Sequence, residues 1–303
     1  MSALFGRRFE SAHLHMSKMR FLLVALALTG CIKNSTWAPR TIQTFDNNGQ
    51  ALARYLFTYD ERGYRFTETK ETYDANRLSW YKEYRISYAY DANGYLSGST
   101  KEQLDSVTGK WLYLSRIQYH YDIRSALPET QIHQDFTIES QSWNNVFKDH
   151  YIRNETDQLL FVVREVWDGA NWYNHARHSF SYDAQGKLLE EKTGNWDTQE
   201  KEWISASRQV YTYNKKKNAV KDTREFWNKE HQKWEQTGLF LYSYDSHGNA
   251  IEVSYIPATG DAAEDTTLIF YYNAMQSSIG HIYSDTGSFR GIRGTAEYFR
   301  QKR

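Results

Sequence analysis

The chain has 303 residues, of which 16% are aromatic, including 24 tyrosines, and its mean hydropathy is −0.78. Lysine plus arginine equals aspartate plus glutamate at 37 each, which excludes the broad positive charge expected of a nucleic-acid binder. Tyrosine and tryptophan combine a large apolar body with a polar edge, and they fit a pleated, half-buried surface. The composition therefore favours strands over helices.

The N-terminal segment has the pattern of an export signal. An apolar run over residues 21–28 follows Lys18 and Arg20, and it is too short to span a bilayer as a helix. It ends in Leu28-Thr29-Gly30-Cys31, which resembles the lipobox of bacterial lipoproteins. An ordinary signal peptide that happens to contain a cysteine is the alternative.

The lipobox resemblance implies a signal peptide over residues 1–31, lipid attached to Cys31 and a tether over residues 32–40. The membrane is then a partner through the lipid anchor, and the protein is expected in the cell envelope, at the outer membrane. Cys31 is the one cysteine of the chain, so stability must come from packing and strand pairing rather than from disulfides.

Self-similarity is the strongest signal in the rest of the chain. Eight four-residue segments share one pattern: an aromatic residue, then any residue, then usually a tyrosine, then Asp or Asn. Their Asp or Asn positions are separated by 31, 31, 32, 29, 31, 31 and 28 residues. The segments are Phe57–Asp60, Tyr88–Asp91, Tyr119–Asp122, Tyr151–Asn154, Phe180–Asp183, Tyr211–Asn214, Tyr242–Asp245 and Phe270–Asn273. A tryptophan stands 11 residues before six of them, at Trp80, Trp111, Trp143, Trp172, Trp203 and Trp234.

The fixed interval predicts the position of one of the two strands in each repeat. Trp203 and Tyr213 are ten residues apart, so a regular strand places both on one face. We therefore expect the tryptophan and the tyrosines of each repeat to share the buried face of a half-buried antiparallel strand, with polar or small residues opposite.

Turn residues follow each of these strands. Asp183 to Gly186 suits a type I turn closed by a left-handed glycine, whereas Asn154 to Asp157 and Asn214 to Lys217 lack the glycine and are expected to be looser or differently built. At the other end of the hairpins, paired aromatic residues are expected to act as cross-strand clasps around the longer loops. The clearest pairs are Trp196 with Trp203 and Trp227 with Trp234.

The motif Tyr-x-Tyr-Asp-x-x-Gly-x-Leu, as in Tyr88 to Leu96, resembles the YD repeats of Rhs-type bacterial surface proteins and toxins. The resemblance implies a strip of β-hairpins. The predicted fold is all-β, a long antiparallel meander of about seven 31-residue hairpin repeats that forms a twisted or curled sheet. The array is expected over residues 41–275, followed by a divergent C-terminal cap and basic tail over residues 276–303.

One pattern of basic residues could indicate the class of ligand. A basic residue stands six positions before the repeat Asp or Asn, on the parity opposite the tyrosines, at Arg85, Arg116, Lys148, Arg177 and Arg208. These residues either pair with acidic neighbours such as Glu102, Glu165 or Glu191, or form an electropositive track for an anionic polymer or lipid head group.

No pattern predicts catalysis, a metal site or a cofactor. His175 and His178 fall on opposite parities of a strand, and Glu190 with Glu191 is typical of a solvated strand surface. The sequence favours a non-catalytic envelope scaffold or interaction surface whose protein partner it does not identify. The alternatives are a glycan-binding protein, using the basic row or exposed Trp196, Trp203, Trp227 and Trp234, and an envelope hydrolase with an unrecognised site.

Overall fold

A computed structural model describes residues 37–45, 49–122, 126–214, 218–244, 250–258, 266–272, 278–285 and 288–300. The predicted signal peptide, Cys31 and the first part of the tether lie outside the described residues. Pro39–Glu297 is one compact unit, which contains the candidate functional site. The remaining described residues, at positions 37–38 and 298–300, belong to a second, small unit.

The described residues form strands and no helix. No segment of that part of the chain therefore qualifies as a helical membrane span. The strands are β1 (Trp37–Phe45), β2 (Ala51–Tyr59), β3 (Arg65–Asp74), β4 (Ser79–Tyr90), β5 (Leu96–Leu104), β6 (Trp111–Tyr121), β7 (Pro128–Thr137), β8 (Ser142–Arg153), β9 (Leu159–Trp167), β10 (Trp172–Tyr182), β11 (Leu188–Asp197), β12 (Glu202–Tyr213), β13 (Ala219–Asn228), β14 (Lys233–Tyr244), β15 (Ala250–Pro257), β16 (Thr266–Tyr272), β17 (Ser278–Asp285) and β18 (Ser288–Arg300).

Each strand from β2 to β17 pairs antiparallel with the strand before it and the strand after it. The predicted all-β meander is confirmed. The second strand of each expected repeat, β4, β6, β8, β10, β12 or β14, begins at or beside the predicted tryptophan. It ends just before the repeat Asp or Asn, at a tyrosine in five strands and at Arg153 in β8.

A β-bulge lies three residues after the tryptophan in each of these second strands. In β12 the pairing steps from Gly194 with Ser205 to Thr193 with Ser207, which leaves Ala206 as the extra residue. A bulge places two residues opposite one and so reverses the alternation beyond it. The equivalent extra residues are Glu83, Leu114, Val146, His175, Ala206 and Thr237.

The bulge makes the predicted common face of tryptophan and tyrosine wrong. Trp203 pairs with Trp196, and Arg208 pairs with Lys192, so these four side chains share one face. Tyr211 lies on the other face. We call the first the tryptophan face, defined by Trp203, Arg208 and their equivalents, and the second the tyrosine face, defined by Tyr211, Tyr213 and their equivalents.

The short turns have the geometry expected from their Asp or Asn. The Oδ1 atom of Asp183 accepts the N–H groups of Gln185 and Lys187 at 2.9 and 2.8 Å, and the N–H of Gly186 donates to the Asp183 carbonyl at 2.9 Å. Gly186 has φ of 81°, the left-handed conformation that glycine tolerates without a steric penalty.

The Asn154 turn keeps the hydrogen bonds of the glycine turns and so is not looser, but it is built differently because an aspartate takes the place of the glycine. Asp157 adopts φ of 61° in place of the glycine, and Asn154 Oδ1 accepts from the N–H groups of Thr156 and Gln158. Asn214 accepts from the N–H of Asn218 at 3.0 Å, although residues 215–217 lie outside the described chain. Asp and Asn tolerate local left-handed or turn geometry because their short side chains bond the backbone.

In four of the motifs the second tyrosine donates a hydrogen bond to a backbone carbonyl at the start of the neighbouring first strand. Tyr213 donates its hydroxyl to the carbonyl of Leu188 at 2.6 Å, and Tyr121 and Tyr182 donate equivalently to Leu96 and Leu159. In the repeat where the tyrosine is replaced, Arg153 donates to the carbonyl of Pro128 at 2.7 Å. At this position of the motif, the hydrogen bond to the backbone carbonyl is kept even where the aromatic ring is not.

The sheet has little ordinary hydrophobic core in its described part. Phe57 and Phe240 are the buried apolar side chains, each covered by a guanidinium, from Arg65 at 4.7 Å and Arg224 at 4.0 Å. Rings on the tyrosine face are half-buried, and desolvation raises the pKa of Tyr121 to about 12. Burial likewise raises the pKa of Tyr151, Tyr211 and Tyr242.

Candidate functional site: a ladder of cations and tryptophans

The tryptophan face carries a repeated cluster that spans three consecutive strands. The cation lies on the first of the three strands, directly across from a residue of the middle strand. It also lies over the tryptophan of the third strand. We call each such cluster a rung and the series the ladder. The rungs are Arg54–Glu71–Trp80, Arg85–Glu102–Trp111, Arg116–Gln134–Trp143, Lys148–Glu165–Trp172, Arg177–Gly194–Trp203 and Arg208–Glu225–Trp234.

In four rungs the cation pairs with a carboxylate. Arg85 donates to Glu102 from Nε at 2.9 Å and from Nη2 at 2.7 Å, and Glu102 is only 8% exposed. Lys148 Nζ lies 2.7 Å from Glu165. The other two pairs are Arg54 with Glu71 and Arg208 with Glu225.

Every cation of the ladder also covers an indole ring. The distances from the cation to the ring centroid are 4.5 Å for Arg54 over Trp80, 4.7 Å for Arg85 over Trp111 and 5.1 Å for Arg177 over Trp203. These distances lie within the roughly 6 Å range of cation–π attraction. In four rungs the same charged group therefore contacts both an indole ring and a carboxylate.

The predicted aromatic clasps are present. Trp196 and Trp203 are direct cross-strand partners with ring centroids 4.9 Å apart at an interplanar angle of 63°, and Trp227 and Trp234 form the same edge-to-face pair at 5.2 Å. All four rings are half-buried. The four rings therefore form neither a fully buried cluster nor a solvent-exposed surface. A cation covers Trp203 and Trp234, and the partner ring contacts each of them edge to face.

Sequence reasoning identified the basic row but not all of its partners. Glu102 and Glu165 are the predicted acidic neighbours, whereas Glu191 lies on the tyrosine face and bonds His178 at 3.0 Å. Arg54 was missed as a member of the row, although it stands six residues before Asp60 and could have been found by the same offset. The series ends where Leu239 faces Ile256.

Two rungs lack a carboxylate. Arg116 donates from Nε to the amide oxygen of Gln134 at 2.6 Å, and the Gln134 amide donates in turn to Asn145 at 2.7 Å. Arg177 stands across from Gly194, which has no side chain. In the part of the chain that the structure describes, no carboxylate forms an ion pair with Arg116 or Arg177.

The Lys148 rung shows the electrostatics of a complete rung. Burial acts to raise the pKa of Glu165, but hydrogen bonds from Lys148 and His150 outweigh it, so this pKa lies below its ordinary value. His150 Nε2 lies 2.9 Å from the carboxylate. Glu165 is therefore held in its charged form by two donors.

Glu190 and Glu191 lie on opposite faces of β11. Glu190 contacts Lys192 and Arg208 at 3.1 and 3.3 Å. No group of three potential metal ligands converges in the described ranges.

Comparison with known proteins places the chain beside one family of unknown function. A model described as "Family of unknown function (DUF3836)" matches residues 135–237, about a third of the chain, from the end of β7 into β14. No curated protein matches.

Similar solved structures include two bacterial proteins and a toxin pore. A DUF3836 family protein from Parabacteroides distasonis is 21% identical over 37% of this chain and 93% of that one, with a TM-score of 0.26. A porin-like protein from Bacteroides uniformis is 9% identical over 86% and 96% of the two chains, with a TM-score of 0.42. A Tc holotoxin pore from Photorhabdus luminescens is 10% identical over 82% of this chain and 16% of that one, with a TM-score of 0.34. The family match lies within the hairpin array and fits a repeat β-structure.

Proposed function

We propose that the protein is a non-catalytic scaffold of the cell envelope, in which the hairpin array is a fixed framework and its surfaces contact other envelope components. The observation that supports this proposal is the neutralisation of four ladder cations by carboxylates of the same sheet. A cation already held by Glu71, Glu102, Glu165 or Glu225 serves to join strands. Its first role is structural.

The ladder compensates for the small apolar core. Each complete rung joins three strands by one ion pair and one cation–π contact, and it repeats at the same register along the meander. A partly exposed pair contributes up to about 1 kcal/mol, so the four ion pairs together contribute at most about 4 kcal/mol.

A double-mutant cycle on the Arg85 rung tests the structural role. Arg85→Gln, Glu102→Gln and the double variant should give a favourable coupling of about 0.5 to 1 kcal/mol in urea unfolding. Lys229→Gln with Glu230→Gln in the exposed β13–β14 loop is the control, with a coupling near zero. Coupling on the Arg85 rung equal to that of the control would show that the ladder is not a framework.

The envelope location has a separate test at Cys31. We expect the wild-type protein to incorporate fatty acid and to sediment with membranes, because Leu28 to Cys31 resembles a lipobox. Cys31→Ser should abolish labelling and release the chain, whereas Thr36→Ser should change neither. Continued labelling of Cys31→Ser would contradict the lipid anchor.

A further inference from the structure

The Arg177 rung has a gap where the other rungs have a side chain. Gly194 occupies the cross-strand position that holds glutamate in four rungs and glutamine in one, with the same bulge register beside it. The guanidinium of Arg177 lies 5.1 Å from the ring centroid of Trp203 and 5.5 Å from that of Phe161. It therefore has two aromatic neighbours and no internal anion among the described residues.

The surroundings of this gap are polar. Ser205 stands directly across from Gly194 and is exposed, and Lys192, two residues along β11 on the same face, is paired with Glu190 at 3.1 Å. Glu165, on the neighbouring rung, is already held by Lys148 and His150. An incoming anion would meet Arg177 without displacing an existing ion pair.

We infer that the gap at Gly194 binds a carboxylate of an acidic polysaccharide, which takes the place of the glutamate found in other rungs. Arginine binds carboxylates through charge-assisted hydrogen bonds, and Arg85 with Glu102 shows the geometry that this sheet imposes. This inference goes beyond the proposed scaffold role and does not depend on it.

A polymer fits the gap better than a single anion because a second unneutralised cation lies on the same face. Arg116 on β6 is four strands from Arg177 on β10, about 19 Å along the sheet at 4.8 Å per strand. A chain of uronate sugars carries a carboxylate on each ring and can reach both cations.

Calorimetric titration of the full chain with polygalacturonate tests the inference. Arg177→Gln and Gly194→Glu should each weaken binding at least tenfold at low salt, the first by removing the cation and the second by neutralising it from within. Ser106→Glu adds the same charge to the exposed β5–β6 loop and should leave binding within about twofold. Binding should weaken as salt rises in the wild type.

The Gly194→Glu variant is expected to fold. A Cβ at this position meets the carbonyl oxygen of Ile204 at 3.2 Å, which requires a shift of a few tenths of an ångström. Glutamate is accommodated at the equivalent Glu102 and Glu225, so the variant should melt close to the wild type. Arg177→Gln tests the same site without adding bulk.

The opposite change should create a site. Glu102→Gln removes the carboxylate from Arg85 and reproduces the Arg116–Gln134 rung, so it should strengthen polygalacturonate binding about threefold. Unchanged affinity in both Gly194→Glu and Arg177→Gln would overturn the site. Equal affinity of the wild type for polyglutamate would overturn its assignment to a polysaccharide. Neither result bears on the unfolding cycle that tests the scaffold.

Discussion

Asp222 is the most unusual single residue of the tyrosine face. Its side chain is fully buried, and Oδ2 accepts from Arg224 at 3.2 Å and from the Tyr242 hydroxyl at 3.4 Å. Oδ1 has no hydrogen-bond partner among the described residues. Desolvation raises the pKa of Asp222, and the attraction of Arg224 only partly offsets it. The fold therefore favours the protonated carboxyl more than the unfolded chain does.

This shift predicts how Asp222→Asn changes the pH dependence of unfolding. A raised folded-state pKa gives stability that is complete below the unfolded value of about 3.9 and is lost as pH rises through the folded value. The wild type should therefore gain stability relative to Asp222→Asn as the pH falls from 7 to 4, by about 1.4 kcal/mol per unit of pKa difference. Urea unfolding at several pH values measures the difference, with the exposed Glu230→Gln as control. A difference that stays constant with pH would contradict the assignment.

Adjacent residues of β12 test the assignment of the two faces. Tyr211 is half-buried on the tyrosine face and donates to Gln209 at 2.9 Å, whereas Thr212 is exposed on the tryptophan face. Tyr211→Ala should cost about 2 to 4 kcal/mol of unfolding free energy, and Thr212→Ala less than about 1 kcal/mol. Equal costs in urea melts would mean that the faces are assigned wrongly.

At the scale of the element, the repeat unit is a hairpin that is shaped by two kinds of irregularity. The bulge after each tryptophan turns Trp203 toward Arg177 and away from Tyr211. The left-handed turn residue after each Asp or Asn closes the short loop. A glycine in the sequence marks the left-handed turn residue in most repeats, whereas no residue type marks the bulge.

The short turns give the element-scale prediction. Asp157 holds φ of 61° where Gly186 and Gly94 hold 81° and 83°. A side chain in this region costs roughly 1 to 2 kcal/mol, less for Asp because it bonds locally. Gly186→Ala should therefore destabilise the protein by about 1 kcal/mol or more, while Asp157→Gly should stabilise it by up to about 1 kcal/mol. Destabilisation by Asp157→Gly in thermal melts would show that the Asp side chain is required in this turn.

At the scale of the whole molecule, the array is a nearest-neighbour structure. Each strand from β2 to β17 pairs with its neighbours in the sequence, and Phe57 and Phe240 are the buried apolar residues of the described part. Stability in such arrays is approximately a sum of repeat terms and interface terms. Local damage should consequently stay local.

Hydrogen exchange can detect this locality. Tyr211→Ala should raise amide exchange in β11, β12 and β13 far more than in β4, β5 and β6, because the ring contacts only its own part of the sheet. Tyr88→Ala should give the mirror result. A uniform rise across both regions in either variant would show that the sheet unfolds as one cooperative unit.

The sequence by itself determined the repeat, the strands and most of the contacts between neighbours. A period near 31, the Asp or Asn turns and the paired tryptophans predicted the meander, since strand pairing between consecutive hairpins needs only local register. The opposite placement of Arg208 and Tyr211, three residues apart, also followed from strand alternation. The array, the clasps and the basic row were all readable in this way.

The tertiary structure alone decided which face the tryptophans occupy and which cations are neutralised. The bulge residues Glu83, Leu114, Val146, His175, Ala206 and Thr237 share no chemistry, so no residue pattern marks them. A one-residue slip moves every side chain beyond it to the opposite face. Only the paired strands show that the slip recurs, that Arg177 consequently lies over Trp203, and that Gly194 rather than Glu191 stands across from it.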